Sequence, residues 1–225
     1  MPASTPGAPE SVDLQVRPVT ELDRGQLGQL ELVYEQAFPA RLRVPLAELT
    51  APGRRDQVLA GLVGDVVAGF AALRLLDTVG WVFLRYYAVA AQWRRQRLGL
   101  RLWQLLSSSL TSAGWPARIA FEVEDPADAR GDPAEQDVRR GRIAFWESCG
   151  AVILPVPQYV MPALTPLGAA EPMILMAAYP AGPDRTGTAS LSELVRAIYG
   201  QHYRLEPGHS MITAALDSIA AGTGG

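Results

Sequence analysis

The chain contains 225 residues, of which 48% are apolar and 19% charged, a composition typical of a globular protein with a substantial core. Its net charge of −3 argues against a general polyanion binder, and we predict no nucleic-acid partner. Cys149 is the only cysteine, which excludes an internal disulfide, and no apolar run reaches the roughly 18 residues needed to cross a bilayer. We therefore predict a cytoplasmic protein with no membrane partner.

The first half of the chain predicts a short strand, a helix and three further strands. Residues 1–12 are predicted to be disordered. Residues 20–23 resemble a capping box, so we expect a helix from there to about residue 38, followed by a proline-punctuated connection with one short helix. Gly64 and Asp65 are predicted to form the tight turn of a hairpin. The strands predicted here are residues 14–17, 58–63, 66–75 and 81–89.

The second half of the chain predicts helices and strands in alternation. Leucines recur at helical spacing from Leu98 to Leu110, which predicts an amphipathic helix ending near Gly114. The polar segment 125–137 contains proline and glycine and is predicted to be an exposed loop. Further strands are predicted at residues 118–123, 151–156 and 173–178, and further helices at residues 138–148, 191–199 and 211–220.

This order of elements predicts the fold class. It indicates an α/β (α+β) protein in which a mixed sheet carries helices on both faces. We assign this domain to residues 13–180 and a C-terminal helical appendage to residues 188–222. The appendage could cover a substrate cleft or form a homodimer interface, and the sequence leaves both open.

A basic turn joins the end of the strand at residues 81–89 to the start of the next helix. A helix start leaves backbone N–H groups unpaired and carries partial positive charge, so it binds phosphate well. Four arginines beside it add charge and forked donors; they are Arg94, Arg95, Arg97 and Arg101. The residues alone predict a phosphate or pyrophosphate site, and the alternative is an ordinary solvated helix start with a basic face.

Two segments carry a family resemblance that covers roughly residues 14–178. The run from Arg94 to Gly99 resembles motif A of the GNAT (Gcn5-related N-acetyltransferase) superfamily, although Arg97 stands where the motif has its first glycine. An arginine there would be strained if the position requires a positive φ. Residues 143–151 resemble motif B, in which Phe145 and Gly150 match and Trp146 replaces the usual tyrosine.

The resemblance implies a GNAT-like, mostly antiparallel sheet and acyl transfer from acetyl-CoA to a primary amine by direct attack. It implies no metal. The loop amides of residues 94–99 would hold the pyrophosphate, and backbone groups near the strand end would pair with the pantetheine arm. The implied acetyl-CoA contacts are Ala88, Val89, Arg94, Arg95, Gln96, Arg97, Leu98, Gly99, Arg101 and Phe145.

Direct attack requires a base for the ammonium and, in many mechanisms, an acid for the leaving thiolate. Glu122 is the predicted base, because it resembles the glutamate of GNAT members that acetylate ribosomal-protein N-termini, and a half-buried carboxylate can have a raised pKa. The alternative for Glu122 is a surface or ion-paired carboxylate, and Glu124 is the reserve base. Tyr159 is the predicted acid, since the indole of Trp146 cannot protonate a thiolate; solvent is the alternative.

Two further points stay open in the sequence. Arg97 and Trp146, at two signature positions, favour a second hypothesis, a GNAT-fold module that binds acyl-CoA without turnover. The amine acceptor is not readable: the acidic segment at residues 125–137 could attract a cationic amine or be a solvated loop. Cys149 is not needed as a nucleophile and is predicted to pack within its helix.

Overall fold

The computed structural model describes residues 13–51, 56–128, 132–165, 168–179 and 188–222. The tail predicted to be disordered, residues 1–12, lies outside the described residues, as do residues 129–131 of the predicted loop.

In the described part of the chain, eight strands form one sheet in the order β1-β2-β3-β4-β5-β8-β6, and β7 pairs with β8. The β4–β5 pair is parallel, and the other pairs are antiparallel. The predicted mixed, mostly antiparallel sheet is therefore confirmed. The strands are β1 (Leu14–Pro18), β2 (Asp56–Val63), β3 (Val66–Leu76), β4 (Trp81–Val89), β5 (Ile119–Glu124), β6 (Val152–Ile153), β7 (Val160–Met161) and β8 (Glu171–Ala178).

Helices cover both faces of this sheet, as predicted. They are α1 (Arg24–Ala37), α2 (Leu46–Thr50), α3 (Leu98–Ser112), α4 (Pro133–Ser148), α5 (Thr188–Ala197) and α6 (Ser210–Gly222). A π-turn, Ile198–His202, continues α5. None of the helices in the described residues combines the length and apolarity that crossing a membrane requires.

Three apolar clusters join the helices to the sheet. The first packs α3 and α4 on one face and includes Leu102 and Phe121. The second packs α5 and α6 on the opposite face and includes Ala120. The third packs α1 and α2 on that same opposite face and includes Tyr34. Because successive strand residues point to opposite faces, Phe121 and Ala120 enter different clusters.

Several predicted boundaries are wrong, and each has a local cause. Helix α1 begins at Arg24, because Asp23 and Gln26 form a reciprocal capping box that residues 20–23 do not. Helix α4 begins at Pro133 within the predicted loop, since Asp132 accepts from the Glu135 N–H and proline suits the first helical position. The strand predicted at residues 151–156 is only Val152–Ile153, and β7 was not predicted.

The sheet parts between its two parallel strands. The pairing of β4 with β5 covers only three residues and ends at Leu84 and Phe121. A register shift opposite β3 makes Arg85 the extra residue of a bulge, and bulges bend a strand and re-aim its side chains. Beyond this point the ends of β4 and β5 diverge and leave an opening in the sheet.

Candidate active site

A cleft of about 1040 Å³ lies at this opening. It is lined by the diverging ends of β4 and β5, by the basic turn before α3, and by one side of α4. Its size is at the upper end of the range typical of ligand sites.

The start of α3 forms one wall of the cleft. The Arg101 N–H donates to the Arg97 carbonyl, so the N–H groups of residues 98–100 precede the first intrahelical bond. Arg97 is the N-cap residue and makes no side-chain capping bond. Arg94, Arg95 and Arg97 line the cleft beside these N–H groups. The arrangement can bind phosphate groups through backbone donors, the helix dipole and guanidinium groups.

The turn holds arginines in the left-handed region of backbone space. Arg95 has φ 62° and Arg97 has φ 57°. A non-glycine residue costs about 1–2 kcal/mol in this conformation. The position that the GNAT motif gives to glycine therefore does require a positive φ here, and the chain tolerates an arginine at it.

Gly99 lets α3 approach the aromatic wall closely. A Cβ at this position would lie 3.3 Å from the Phe145 ring and 3.6 Å from Val89. Tyr87 donates to the Gly99 carbonyl at 2.5 Å, which fixes the helix start against β4. Phe145 in turn packs on Tyr87 with ring centroids 6.1 Å apart.

Most of the predicted acetyl-CoA contacts come together in this cleft. Seven of them line it: Ala88, Val89, Arg94, Arg95, Arg97, Gly99 and Phe145. The other three described residues do not. The Gln96 side chain donates to the Gln92 carbonyl at 2.8 Å, Leu98 is buried in the first cluster, and Arg101 lies one turn into α3. Gln96 and Leu98 could contribute only their backbone N–H groups to a ligand.

Glu122 lies on the floor of the cleft, where two tyrosines hold its carboxylate. Tyr159 donates to Oε1 at 2.5 Å, and Tyr203 donates to Oε2 at 2.6 Å. Both predicted catalytic residues, Glu122 and Tyr159, are thus brought into direct contact. Tyr203 was not predicted.

Burial raises the pKa of Glu122 to about 7, although the hydrogen bonds from Tyr159 and Tyr203 and the charge of Arg85 act to lower it. Burial and the neighbouring Glu122 charge raise the pKa values of both tyrosines well above their usual value. The two hydroxyls therefore stay protonated and act as donors. A carboxylate that titrates near neutrality is suited to accepting a proton from an ammonium.

A buried ion network positions Tyr203. The Asp56 carboxylate, 0% exposed, pairs with Arg74 at 2.5 Å and with Arg85. Arg74 also donates to the His202 carbonyl at 3.2 Å, which ties the π-turn to the sheet one residue before Tyr203. π-turns inside helices are often found at functional sites.

One sign of this network was visible in the sequence, and none pointed to Tyr203. Arg74 and Arg85 interrupt apolar strands, and a charge in such a strand must be paired. Tyr203 is 81 positions from Glu122, so only the tertiary fold brings the two together.

Glu124, the reserve base, is fixed in ion pairs. Arg41 lies 2.8 Å and Arg139 3.5 Å from its Oε1, and Arg142 bonds its Oε2. Three guanidinium groups thus engage both carboxylate oxygens of Glu124, which leaves neither oxygen free to contact an acceptor amine.

The remaining candidates lie in packed surroundings. Tyr159 is 2% exposed and belongs to the second cluster, behind Glu122 as seen from the cleft. Trp146 packs on Phe121 with ring centroids 4.4 Å apart. Burial raises the pKa of the Cys149 thiol, which disfavours the nucleophilic thiolate.

The cleft thus combines a parted mixed sheet, an uncapped helix start and a buried carboxylate. Residues 28–131 match the family described as the acetyltransferase (GNAT) family. The predicted resemblance to this family is therefore confirmed, over a match that spans slightly less than half of the chain. A comparison with curated proteins found no match.

Solved structures share the fold at low sequence identity. A protein from Bacteroides thetaiotaomicron, described as of the GNAT family, is 18% identical over 85% of this chain and 99% of its own, with a TM-score of 0.67. An aminoglycoside 6'-N-acetyltransferase complexed with coenzyme A is 19% identical over 76% and 99%, with a TM-score of 0.54. The ribosomal-protein-S18-alanine N-acetyltransferase from Escherichia coli is 20% identical over 78% and 99%, with a TM-score of 0.51.

Proposed function

We propose that this protein transfers the acetyl group of acetyl-CoA to a primary amine. The observation that carries this proposal is the Glu122 carboxylate, which has a pKa of about 7 and two tyrosine donors on the floor of the cleft. A group poised near neutral pH can take a proton from an ammonium and release it again.

The cleft has the donors that acetyl-CoA requires. The N–H groups at the start of α3 and the arginines of the turn suit its pyrophosphate. Ala88 and Val89 lie beyond the last β4–β5 pair and line the cleft, so a pantetheine arm could pair with the strand backbone there. It would take the place of the Arg94 side chain, whose Nε donates to the Val89 carbonyl at 3.1 Å. The coenzyme A complex of a protein with the same fold supports this donor.

The reaction combines one displacement with three proton movements: the nitrogen loses two protons, and the leaving thiolate gains one. Glu122 takes a proton from the acceptor ammonium, and the amine nitrogen forms a bond to the thioester carbonyl carbon. The C–S bond then breaks, and coenzyme A leaves as a thiolate. The new amide loses its second nitrogen proton, so amide, free thiol and one released proton balance an ammonium and a thioester.

Tyr203 is our candidate for the donor to the thiolate, because its hydroxyl bonds Glu122 and it lines the cleft. It would pass its proton to sulfur while taking the proton held by Glu122, so no free phenolate forms. Tyr159 is buried behind Glu122, and we assign it the role of holding the carboxylate rather than the acid role predicted from the sequence.

Thiol release tests the proposal. Purified protein, acetyl-CoA and a panel of primary amines should release coenzyme A, and Glu122→Gln should lower kcat/KM by about 100-fold or more at pH 7.5. Glu31→Gln removes an exposed carboxylate on α1 and should match the parent protein. Equal activity of the parent and Glu122→Gln would exclude Glu122 as the base.

The second candidate function is an acyl-CoA-binding module without turnover. Trp146 at the tyrosine position of motif B and the left-handed Arg97 favour it. This function predicts that acetyl-CoA raises the melting temperature while no amine in the panel releases thiol.

A further inference from the structure

We infer that the acceptor is a primary amine carried on an uncharged, apolar body, and not a polyamine or another polycation. This inference rests on the proposed function and names the class of substrate for the same cleft.

Strand alternation fixes the side from which the amine approaches. Phe121 and Val123 belong to the first cluster, beneath α3 and α4, whereas Ala120 belongs to the second cluster on the opposite face. Glu122 therefore faces the side of α5, and both of its tyrosine partners reach it from there. An ammonium that gives its proton to Glu122 must reach the cleft from this side.

The walls on that side, which we call the acceptor pocket, are largely apolar. They come from the connection between α1 and α2, from β7 and the loop after it, and from the start of β8. The apolar lining residues are Phe38, Leu42, Met161, Leu164 and Met173.

The charged side chains around the acceptor pocket are already paired. Arg41 bridges Glu124 at 2.8 Å and Glu171 at 3.2 Å, although its side chain is 45% exposed. Arg142 bonds Glu124, and Arg85 bonds Asp56. Of the acidic residues lining the described cleft, Glu122 and Glu124, only Glu122 has no ion-pair partner among the described residues.

His202 adds no charge to this wall. Burial and the positive charges of Arg85 and Arg74 lower its pKa well below the usual value, so its ring is neutral at physiological pH. The ring packs against Phe83 with centroids 4.6 Å apart.

A polycation would find one carboxylate in the acceptor pocket and no partner for its second charge. Burying an unpaired ammonium is strongly unfavourable, whereas burying methylene groups is favourable. The pocket therefore selects for an alkyl or aryl body behind the reacting nitrogen.

The test compares two amines of the same length, hexylamine and 1,6-diaminohexane, which differ by one distal ammonium. We expect kcat/KM for thiol release to be at least tenfold higher with hexylamine. An equal or higher value with the diamine overturns the inference and leaves the proposed acetyl transfer standing.

Calorimetric titration of both amines into the protein saturated with coenzyme A separates the two proposals. Thiol release from neither amine, nor from any other amine of the panel, overturns the proposed function, and tighter binding of hexylamine would then still support the acceptor class. Equal or tighter binding of the diamine overturns the acceptor class whether or not turnover occurs.

A charge added to the pocket should reverse the preference. Leu164→Glu supplies a partner for a second ammonium and should lower the hexylamine-to-diamine ratio by about tenfold or more. Val66→Glu adds the same charge at an exposed position that does not line the cleft and should leave the ratio unchanged. An unchanged ratio in Leu164→Glu, in a variant whose melting temperature matches that of Val66→Glu, overturns the location of the pocket.

Discussion

At the scale of single residues, the chemistry depends on how the fold treats one carboxylate. Burial opposes the charge of Glu122, while two hydroxyl donors and Arg85 favour it, and the balance leaves its pKa at about 7. Glu124, two positions along the same strand, is surrounded by three arginines instead. Two glutamates on one strand thus have different roles: Glu122 is the candidate base, and Glu124 is a structural anchor.

The raised pKa of Glu122 should appear in the pH dependence of stability. The folded-state pKa is raised from 4.5 to about 7, so the folded state binds the proton more tightly than the unfolded chain. Proton binding by Glu122 therefore stabilises the folded state fully below pH 4.5. This stabilisation is lost as the pH rises from 4.5 to 7, and the loss lowers the free energy of unfolding by roughly 3 kcal/mol. Glu122→Gln, whose amide can still bond both tyrosines, should become more stable relative to the parent as the pH rises from 5 to 8.

Urea denaturation of both proteins at pH 5 and pH 8 measures this effect. The other titrating groups are common to the two proteins and cancel in the difference. A difference in the free energy of unfolding that stays constant between the two pH values would contradict a raised pKa at Glu122.

Arg97 permits a test of backbone strain that is independent of charge. Arg97→Gly and Arg97→Ala both remove the guanidinium, but only glycine adopts φ 57° without a steric cost. We expect Arg97→Gly to be about 1 kcal/mol more stable than Arg97→Ala in urea denaturation. Acetyl-CoA should bind the two variants with similar, weakened affinity. Equal stabilities would mean that the turn relaxes away from the left-handed conformation in the alanine variant.

At the scale of elements, the π-turn of Ile198–His202 connects the C-terminal helices to the cleft. It is anchored by Arg74 and presents Tyr203 to Glu122. Tyr199, which lies within the π-turn, donates to the carbonyl of Val160 and not to Glu122. The two tyrosines provide a matched pair for testing what the turn does.

Tyr203→Phe should shift the pH profile of acetyl transfer. The hydroxyl donates to the charged form of Glu122, so its loss raises the Glu122 pKa, by about one unit for a bond to a charged group. Because Glu122 must be deprotonated to act as a base, the midpoint of kcat/KM should move from about pH 7 towards pH 8. Tyr199→Phe should keep the original midpoint. A Tyr203→Phe profile whose midpoint does not move would contradict a hydrogen bond from Tyr203 to the charged form of Glu122.

The elements could be predicted from sequence wherever local rules decide them. Strand β4 was predicted with its observed bounds, because a glycine turn precedes it and a polar turn follows it. Helix α4 was predicted to be too short, because proline and aspartate at its start are also typical of loops. Strand β7 contains two residues and exists only because β8 pairs with it, so no local pattern could indicate it.

The candidate site could likewise be predicted only where local sequence decides its structure. The anion-binding start of α3 is a local feature, and its arginines and glycine were visible in the sequence. The Tyr203–Glu122 contact and the Asp56 network depend on strand order, which one sequence without pairing information does not specify. The acceptor pocket likewise gathers residues from three separate segments.

At the scale of the whole molecule, the C-terminal helices are part of the sheet's own core. Helices α5 and α6 complete the second cluster over the strand residues Trp81, Phe83 and Ala120. The larger apolar side chains buried along α5, the π-turn and α6 are Leu191, Leu194, Val195, Ile198, Tyr199, Ile212 and Ile219. The sequence suggested an appendage, because the family resemblance ends before these helices begin.

A chain that ends at residue 187 should therefore fail to fold. Each of the seven buried side chains is worth about 1.5–3 kcal/mol, so their loss removes roughly 10–20 kcal/mol, as much as the total stability of a typical domain. Circular dichroism and size-exclusion chromatography of the truncated chain should show lost tertiary structure and aggregation. Cooperative unfolding of a soluble truncated chain would establish instead that residues 188–222 form a separable appendage.

Two neighbouring positions on α5 give a graded version of this test. Leu194 is 0% exposed, and Leu194→Ala should cost about 2–5 kcal/mol, because it leaves a cavity between α5 and the sheet. Glu193 is exposed on the same helix, and Glu193→Ala should change the free energy of unfolding by less than about 0.5 kcal/mol. If the helices and the sheet form one cooperative unit, Leu194→Ala also lowers the melting temperature of the acetyl-CoA complex. An unchanged melting temperature would mean that the two parts unfold independently.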